Sequence, residues 1–442
     1  MLKAGFGRID ITPPLGVFVQ GYFEKRYADG ILDPLLATAV AFDNGQKRIV
    51  VISVDVIGFN QLLMDQVRPM VAEAIGTEKE AVFICCTHTH LGPGVTNPEK
   101  KNVGIEENDI YVQETFVKKL CDVAVLAVQD LAPARFSYTR GQVKDVAFVR
   151  RFVMKDGTYR TNPGWLNPDV DHALGTPDEN SSLLIIKREN APEIGIVNFQ
   201  VHPDVISGCK LSADFPKFVR DTYETLIPNS RCMYINGAQG DTNHVDIRLG
   251  EDKCRRGYDR SRYMGRKIAM SVIANYELAE PLEGEEIAFG QKSVFTRFNK
   301  GRPDQIDEAV RIAKIYNEQG IDAAVPHLTG MAQVEVVAEA TRIVRLMDYP
   351  DEKELYVTAV SVGDVVFAGF PGEPFTDIGR GIKSQSKFTL TIPACCANGY
   401  EGYYPMQSAY DEGGYEARTA RYVAGTAEKL IATSAEIVNA MK

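Results

Sequence analysis

Two histidines stand one residue apart in Thr87-His88-Thr89-His90-Leu91-Gly92-Pro93-Gly94. On an extended segment, residues i and i+2 project to the same side, so both imidazoles face one site. One ring can bind a metal through a nitrogen while the other serves the substrate as acid or base. The competing reading is two satisfied surface histidines before a turn. The chain holds only six histidines, and Gly-Pro-Gly follows almost at once, so we read the pair as functional.

Other groups could complete such a site. His202 follows an apolar run and precedes Pro203; alone it reads equally as a structural histidine. Glu373, between Gly372 and Pro374, could ligate a metal or be an ordinary turn glutamate. Asp241, after Gly240, could orient a ligand or cap the next segment. His244 could line the pocket, whereas His172 and His327 read as structural or exposed. Near the end of the chain, Tyr400-Glu401-Gly402-Tyr403-Tyr404 is followed by Tyr410 and Tyr415. Such aromatics usually pack on a core, but a cation depresses a phenol's pKa enough for ligation, and a second phenol can donate to a developing oxyanion.

The elements that must position these groups are legible as apolar runs. Strands are expected at Arg48 to Val54, Ala81 to Cys86, Gly195 to Val201 and Cys232 to Asn236. A hairpin is expected to join Tyr356–Val362 to Val365–Phe370 around Gly363-Asp364. Helices are expected at Asn60 to Ile75, with Leu63, Val67, Met70, Val71, Ala74 and Ile75 on one face, and at Glu107 to Leu131, Ser261 to Ala279, Pro303 to Gln319 and from about Tyr415 onward. The alternation predicts an α/β fold of layered mixed β-sheets flanked by helices. A single catalytic domain over 1–442 is the simplest organisation, with 298–354 as a possible helical insertion. Each expected strand ends in a polar cluster: Asp55, His88 and His90, His202, Asp241, Glu373. Ligand sites in α/β sheets gather beyond the carboxyl ends of strands.

Composition narrows the partners. The chain is 45% apolar and 24% charged, with a formal net charge of −10. That balance argues against nucleic acid and against electrostatic attachment to an anionic membrane. No run reaches the roughly 20 apolar residues needed to span a bilayer. The start, Met1-Leu2-Lys3-Ala4-Gly5, lacks the apolar core of a signal peptide, which makes the cytoplasm the default expectation. Cys85-Cys86 and Cys395-Cys396 read as small core-filling residues, and no CxxC zinc pattern is present.

Together these segments resemble the neutral (non-lysosomal, alkaline) ceramidases, zinc amidases that cleave the N-acyl bond of ceramide. The resemblance is carried by Gly7-Arg8-Ile9-Asp10-Ile11-Thr12-Pro13, Asp33-Pro34-Leu35, Ser53-Val54-Asp55, the His-Thr-His block, Val201-His202-Pro203, Gly240-Asp241, Pro371-Gly372-Glu373 and the tyrosine block to Glu416. It implies Zn2+ ligands at His88, His202, Glu373 and Tyr403. It implies His90 as acid or base, Tyr415 as donor to the reacting carbonyl, and an arginine that is Arg150 or Arg151, with Arg150 preferred. In the family a Gly-Asp-x-Ser-Pro-Asn segment enters the site; here it runs Gly240-Asp241-Thr242-Asn243-His244, so Thr242 or Asn243 is expected in that space. The family also carries a C-terminal accessory domain, and no such domain is expected here.

The implied reaction is hydrolysis of an amide by water activated at the metal, on a small-molecule or lipid-like substrate. Two alternatives stand beside it. One is the same zinc chemistry on a small polar amide, ester or lactone, such as a sugar derivative. The other is a metal-free binding protein on the same fold. No Gly-x-Ser-x-Gly elbow supports a serine hydrolase.

Overall fold

The computed structural model describes residues 1–95, 106–253 and 256–442, with the side chains of 106 and 107 excepted. Its principal elements are β1 (Lys3–Asp10), β2 (Leu36–Asp43), β3 (Arg48–Val54), α1 (Gln61–Ile75), β4 (Val82–Cys86), α2 (Val117–Gln129), β5 (Ala132–Gln142), β6 (Asn180–Arg188), β7 (Glu193–Phe199), α3 (Phe215–Leu226), β8 (Ser230–Asn236), α4 (Tyr258–Ile273), β9 (Ile287–Arg297), α5 (Ile306–Gln319), α6 (Gly330–Leu346), β10 (Glu352–Val362), β11 (Val365–Gly369), α7 (Thr376–Gln385), β12 (Leu390–Ala394) and α8 (Thr426–Ala440). The larger sheet runs β8-β7-β6-β5-β1-β2-β3-β4, and the smaller runs β9-β10-β11-β12.

Strand periodicity builds the layers. Side chains alternate across a strand, so each buried strand serves two cores. Phe42, Val51, Phe83, Ile196 and Ile235 of the larger sheet pack against Val360, Phe367 and Ile392 of the smaller one. Their neighbours Ala41, Ile52 and Ile84 face Leu63, Val67 and Val71 of α1 and Leu120 and Val123 of α2. Ile185, Val197 and Tyr234 face α3 and α4. On the outer face of the smaller sheet, Val357, Ala359 and Val366 meet Ile378 of α7 and Leu430 and Val438 of α8. Two sheets face to face with helices outside give four layers, the mixed α/β architecture anticipated from the alternation.

Most strand pairs are antiparallel. Among the strands named above, the parallel pairs are β3–β4, β7–β8 and β11–β12. Their carboxyl ends are tied together by hydrogen bonds. Asn236 Nδ2 donates to Thr87 O at 3.2 Å. Cys395 N donates to Asn236 O at 3.0 Å, Asn398 N to Ile84 O at 2.8 Å and Cys396 N to Gly372 O at 2.7 Å. The loops after β4, β8, β11 and β12 are thereby gathered at one place.

Helix α1 departs from expectation in detail. Met70 and Ala74 lie on the exposed side, while Arg68 is buried. Arg68 earns that position by donating to Val82 O, Lys79 O and Gln291 Oε1, a charged residue that apolar periodicity misplaces. The residues between 298 and 354 form α5 and α6 around a small apolar core of Ala309, Ile312, Val337, Ala340 and Ile343, against which Phe23 also packs. Among the described residues, no helix is long and apolar enough to cross a membrane.

Candidate metal centre

His88 leaves β4 with φ of 70°, a left-handed conformation rare outside glycine. Its ring is held by Ile57 O, 2.6 Å from Nδ1. A carbonyl oxygen only accepts, so Nδ1 carries the proton and Nε2 keeps its lone pair. Nε2 lies 3.2 Å from Glu373 Oε2. His202, from the loop after β7, places its Nε2 3.3 Å from the same oxygen, while its Nδ1 faces Gln239 O at 3.4 Å. His90 completes the cluster: His88, His90 and His202 each offer a ligand atom within 4.8 Å of the others.

Glu373 is set by the backbone. Its two-residue strand pairs in parallel with Tyr403-Tyr404, Glu373 opposite Tyr403, and its N–H donates to Gly402 O at 2.9 Å. Tyr400 donates its hydroxyl to Glu373 Oε1 at 2.6 Å. Burial opposes the Glu373 charge, yet the positive charge that His88 takes on when doubly protonated and the Tyr400 hydroxyl prevail, holding the carboxyl down at about 2. Burial lowers His90 to about 4 and takes His202 well below its ordinary value, Arg150 adding to the effect on His202. All four residues are nearly inaccessible, with His88 1%, His202 2%, Glu373 1% and His90 9% exposed.

Several polar atoms here have no hydrogen-bond partner among the described residues: both nitrogens of His90, Nε2 of His202 and Oε2 of Glu373. The histidine–Glu373 approaches are short in distance but lack the direction of a hydrogen bond. Unpaired buried polar atoms cost on the order of 1–3 kcal/mol each. An anionic oxygen converging with neutral imidazole nitrogens is the donor set that a divalent cation satisfies. The residues present therefore fit the zinc that the family resemblance implies.

Around this centre, Arg150 makes three contacts. It donates to Glu416 Oε1 at 2.5 Å, Gly240 O at 2.7 Å and the Tyr403 hydroxyl at 3.1 Å. Burial opposes its charge, but Tyr403 and Glu416 raise its pKa above the ordinary value. Burial pushes the Tyr403 phenol up, and Arg150 acts against it. Arg151 turns instead to Glu412 and Gly413. The Tyr403 ring stacks on His202 at 6.4 Å and meets Tyr415 edge-on at 5.7 Å.

The altered segment serves Arg150. Asp241 accepts from the Thr376 N–H at 2.8 Å and hydroxyl at 2.7 Å, capping α7, and its carbonyl accepts from Arg150 N. Thr242 pairs with Val149 and donates to Gln239 O at 3.2 Å. Both residues hold the Arg150 arm, and these contacts engage neither the histidines nor Glu373. His244 is buried beyond them, and burial lowers its pKa to about 3. His172 is exposed. Two partners were not singled out from sequence. Tyr400 stood in the tyrosine block without a role, and Glu416, which holds Arg150, carried no signal beyond following Tyr415.

Gly240 shows how tightly the centre is packed. A Cβ there would lie 2.6 Å from Glu373 O and 3.0 Å from Pro374 O. Gly240→Ala must displace the strand that carries Glu373. We expect a stability loss of about 1–3 kcal/mol by urea unfolding, with zinc affinity reduced in the same protein.

A four-layered α/β fold with a buried His-His-Glu cluster at the gathered strand ends defines a protein built around a metal-competent centre. Residues 2–210 match the family model described as neutral/alkaline non-lysosomal ceramidase, N-terminal. In fold it is similar over its whole length to the neutral ceramidase from Pseudomonas aeruginosa, with a TM-score of 0.72 and 17% identity, covering 74% of that chain. A structure described as ceramidase complexed with C2 matches with a TM-score of 0.71 and 17% identity, covering 100% of this chain and 75% of that one.

Proposed function

We propose that this protein is a zinc-dependent hydrolase that cleaves an N-acyl amide bond of ceramide type. The observation that carries the reading is the convergence of His88 Nε2 and His202 Nε2 on Glu373 Oε2, at 3.2 and 3.3 Å, with Oε2 otherwise unpartnered. These three residues would hold the metal, with the Tyr403 phenol as a fourth donor. The chemistry such an ion supplies when bound is Lewis acidity, which eases deprotonation of water and polarises a carbonyl.

The remaining work falls to this chain's side chains. His90, neutral because of its burial, takes a proton from the attacking water and returns it to the leaving nitrogen. Tyr415 donates its hydroxyl to the carbonyl oxygen as charge develops there. Arg150 holds the Tyr403 phenol in place and favours its ionised form. The surrounding burial excludes bulk water.

The test is release of amine from a short-chain N-acylsphingosine. Zinc-loaded protein is expected to hydrolyse it, chelated protein to stop, and zinc to restore the rate. Turnover unaffected by exhaustive chelation would refute the metal-dependent reading.

A further inference from the structure

The two carboxylate oxygens of Glu373 have different surroundings. Oε2 faces the Nε2 atoms of His88 and His202. Oε1 accepts from the Tyr400 hydroxyl at 2.6 Å. A carboxylate free to turn can offer a cation one oxygen or both. Turning Glu373 to present both would draw Oε1 away from the phenol and leave a hydroxyl without its acceptor, which is costly in a packed site.

The phenol has little room to follow. A Cβ on Gly58 would lie 2.7 Å from the Tyr400 ring, so the chain passes close against that face. The ring lies 6.0 Å from the His88 ring, with 32° between their planes, and it packs on the core beneath α1 and α2. The backbone on either side is anchored. Asn398 N donates to Ile84 O and Glu401 N to Pro371 O, both at 2.8 Å. The Glu401 carboxylate accepts from the Tyr422 hydroxyl at 2.8 Å and from Arg421 Nη1 at 2.9 Å. Tyr400 is thus set by the fold and not by a ligand.

Oxygen supply decides which ion a centre prefers. Zn2+ is satisfied by about four donors with imidazole nitrogens among them. Mn2+ suits carboxylate, carbonyl and water oxygens and binds less tightly to nitrogen-rich sites. A centre that withholds one carboxylate oxygen favours the first ion over the second.

We propose that Tyr400 is a positioning residue that confines Glu373 to ligation through Oε2 and thereby sets the centre's preference for zinc over oxygen-seeking divalent ions. The inference rests on the metal-dependent part of the reading above and does not depend on the substrate.

The test measures Zn2+ and Mn2+ affinity of the metal-stripped full chain by competition with chelators, in wild type and in Tyr400→Phe, with amine release followed on the same preparations. The substitution keeps the ring in its slot and removes only the hydroxyl. Zinc binding is expected to weaken by about 10–100-fold, the usual worth of a partner that orients a metal ligand. Mn2+ binding should weaken less, so that the preference for zinc falls by about tenfold. A residue that merely packs would weaken both ions in equal proportion, and that result overturns the proposal. Zinc affinity within about twofold of wild type overturns it too. Should Tyr400→Phe fail to fold, Gly58→Ala, which presses the ring aside, decides by the same ratio. Wild-type protein that binds no zinc refutes both the metal centre and this role. Zinc binding of the expected pattern without turnover refutes the hydrolytic reading alone.

Discussion

His88→Ala protein should purify without zinc and release amine from N-acylsphingosine at the uncatalysed rate. Two features of His88 set this expectation. Its Nδ1 is fixed on Ile57 O, which aims the unprotonated Nε2 at Glu373 Oε2. The other donors assigned to the metal, His202 and Glu373, are already committed to the same point and cannot replace it. Losing one of a small ligand set exposes the remaining buried carboxylate to an uncompensated environment, so the expected loss of metal is complete at micromolar zinc. Metal analysis of the purified variant checks it, and full occupancy would remove His88 from the ligand set. The fold should survive, since the β4 ladder and the Asn236–Thr87 hydrogen bond do not involve the ring.

The second expectation concerns His90, and it separates two readings of the same cluster. The three imidazoles lie close enough for all of them to be ligands. Yet Glu373 Oε2 is approached by His88 and His202, and neither nitrogen of His90 has a hydrogen-bond partner among the described residues. With His90 serving the substrate, His90→Ala should keep stoichiometric zinc while turnover falls by about 10²–10⁴-fold, the usual worth of a positioned acid–base group. KM should change little, because the imidazole acts mainly in the transition state. Zinc loss in His90→Ala comparable to that in His88→Ala would make His90 a ligand and leave the proton transfer to another residue.

Much of this architecture could be read from residue order. β3 runs from Arg48 to Val54, the span its apolar run predicted, and the hairpin of β10 and β11 turns at Gly363-Asp364 with Val362 opposite Val365. Buried strands and tight turns announce themselves because their signals are local. The sheet order and the meeting of the strand ends could not be read, since they depend on long-range pairs such as Asn236 with Thr87 and Cys395 with Asn236. Arg68 shows the same limit within one helix: its burial follows from carbonyls on another element, not from its own periodicity.

At the centre, residue types were legible and partnerships were not. His88 and His90 stood out because of their spacing, and the family resemblance supplied His202, Glu373 and Tyr403 as companions. Tyr400 and Glu416 gain meaning only when Glu373 and Arg150 are seen beside them. Asp241 could have capped a helix or oriented a ligand. Its carboxylate caps α7 at Thr376, a helix 135 positions further along the chain, which no local pattern indicates. Gly21 likewise reads as an ordinary loop glycine until His90 is found beneath it.

The central claim is that a metal is held between His88, His202 and Glu373. Anomalous diffraction collected on both sides of the zinc edge, from crystals of protein reconstituted with zinc, tests it most directly. The account predicts a single strong peak within ligand distance of His88 Nε2, His202 Nε2 and Glu373 Oε2, absent from crystals of His88→Ala. A zinc-replete crystal with no peak at that point, or with its peak at another cluster, would contradict it.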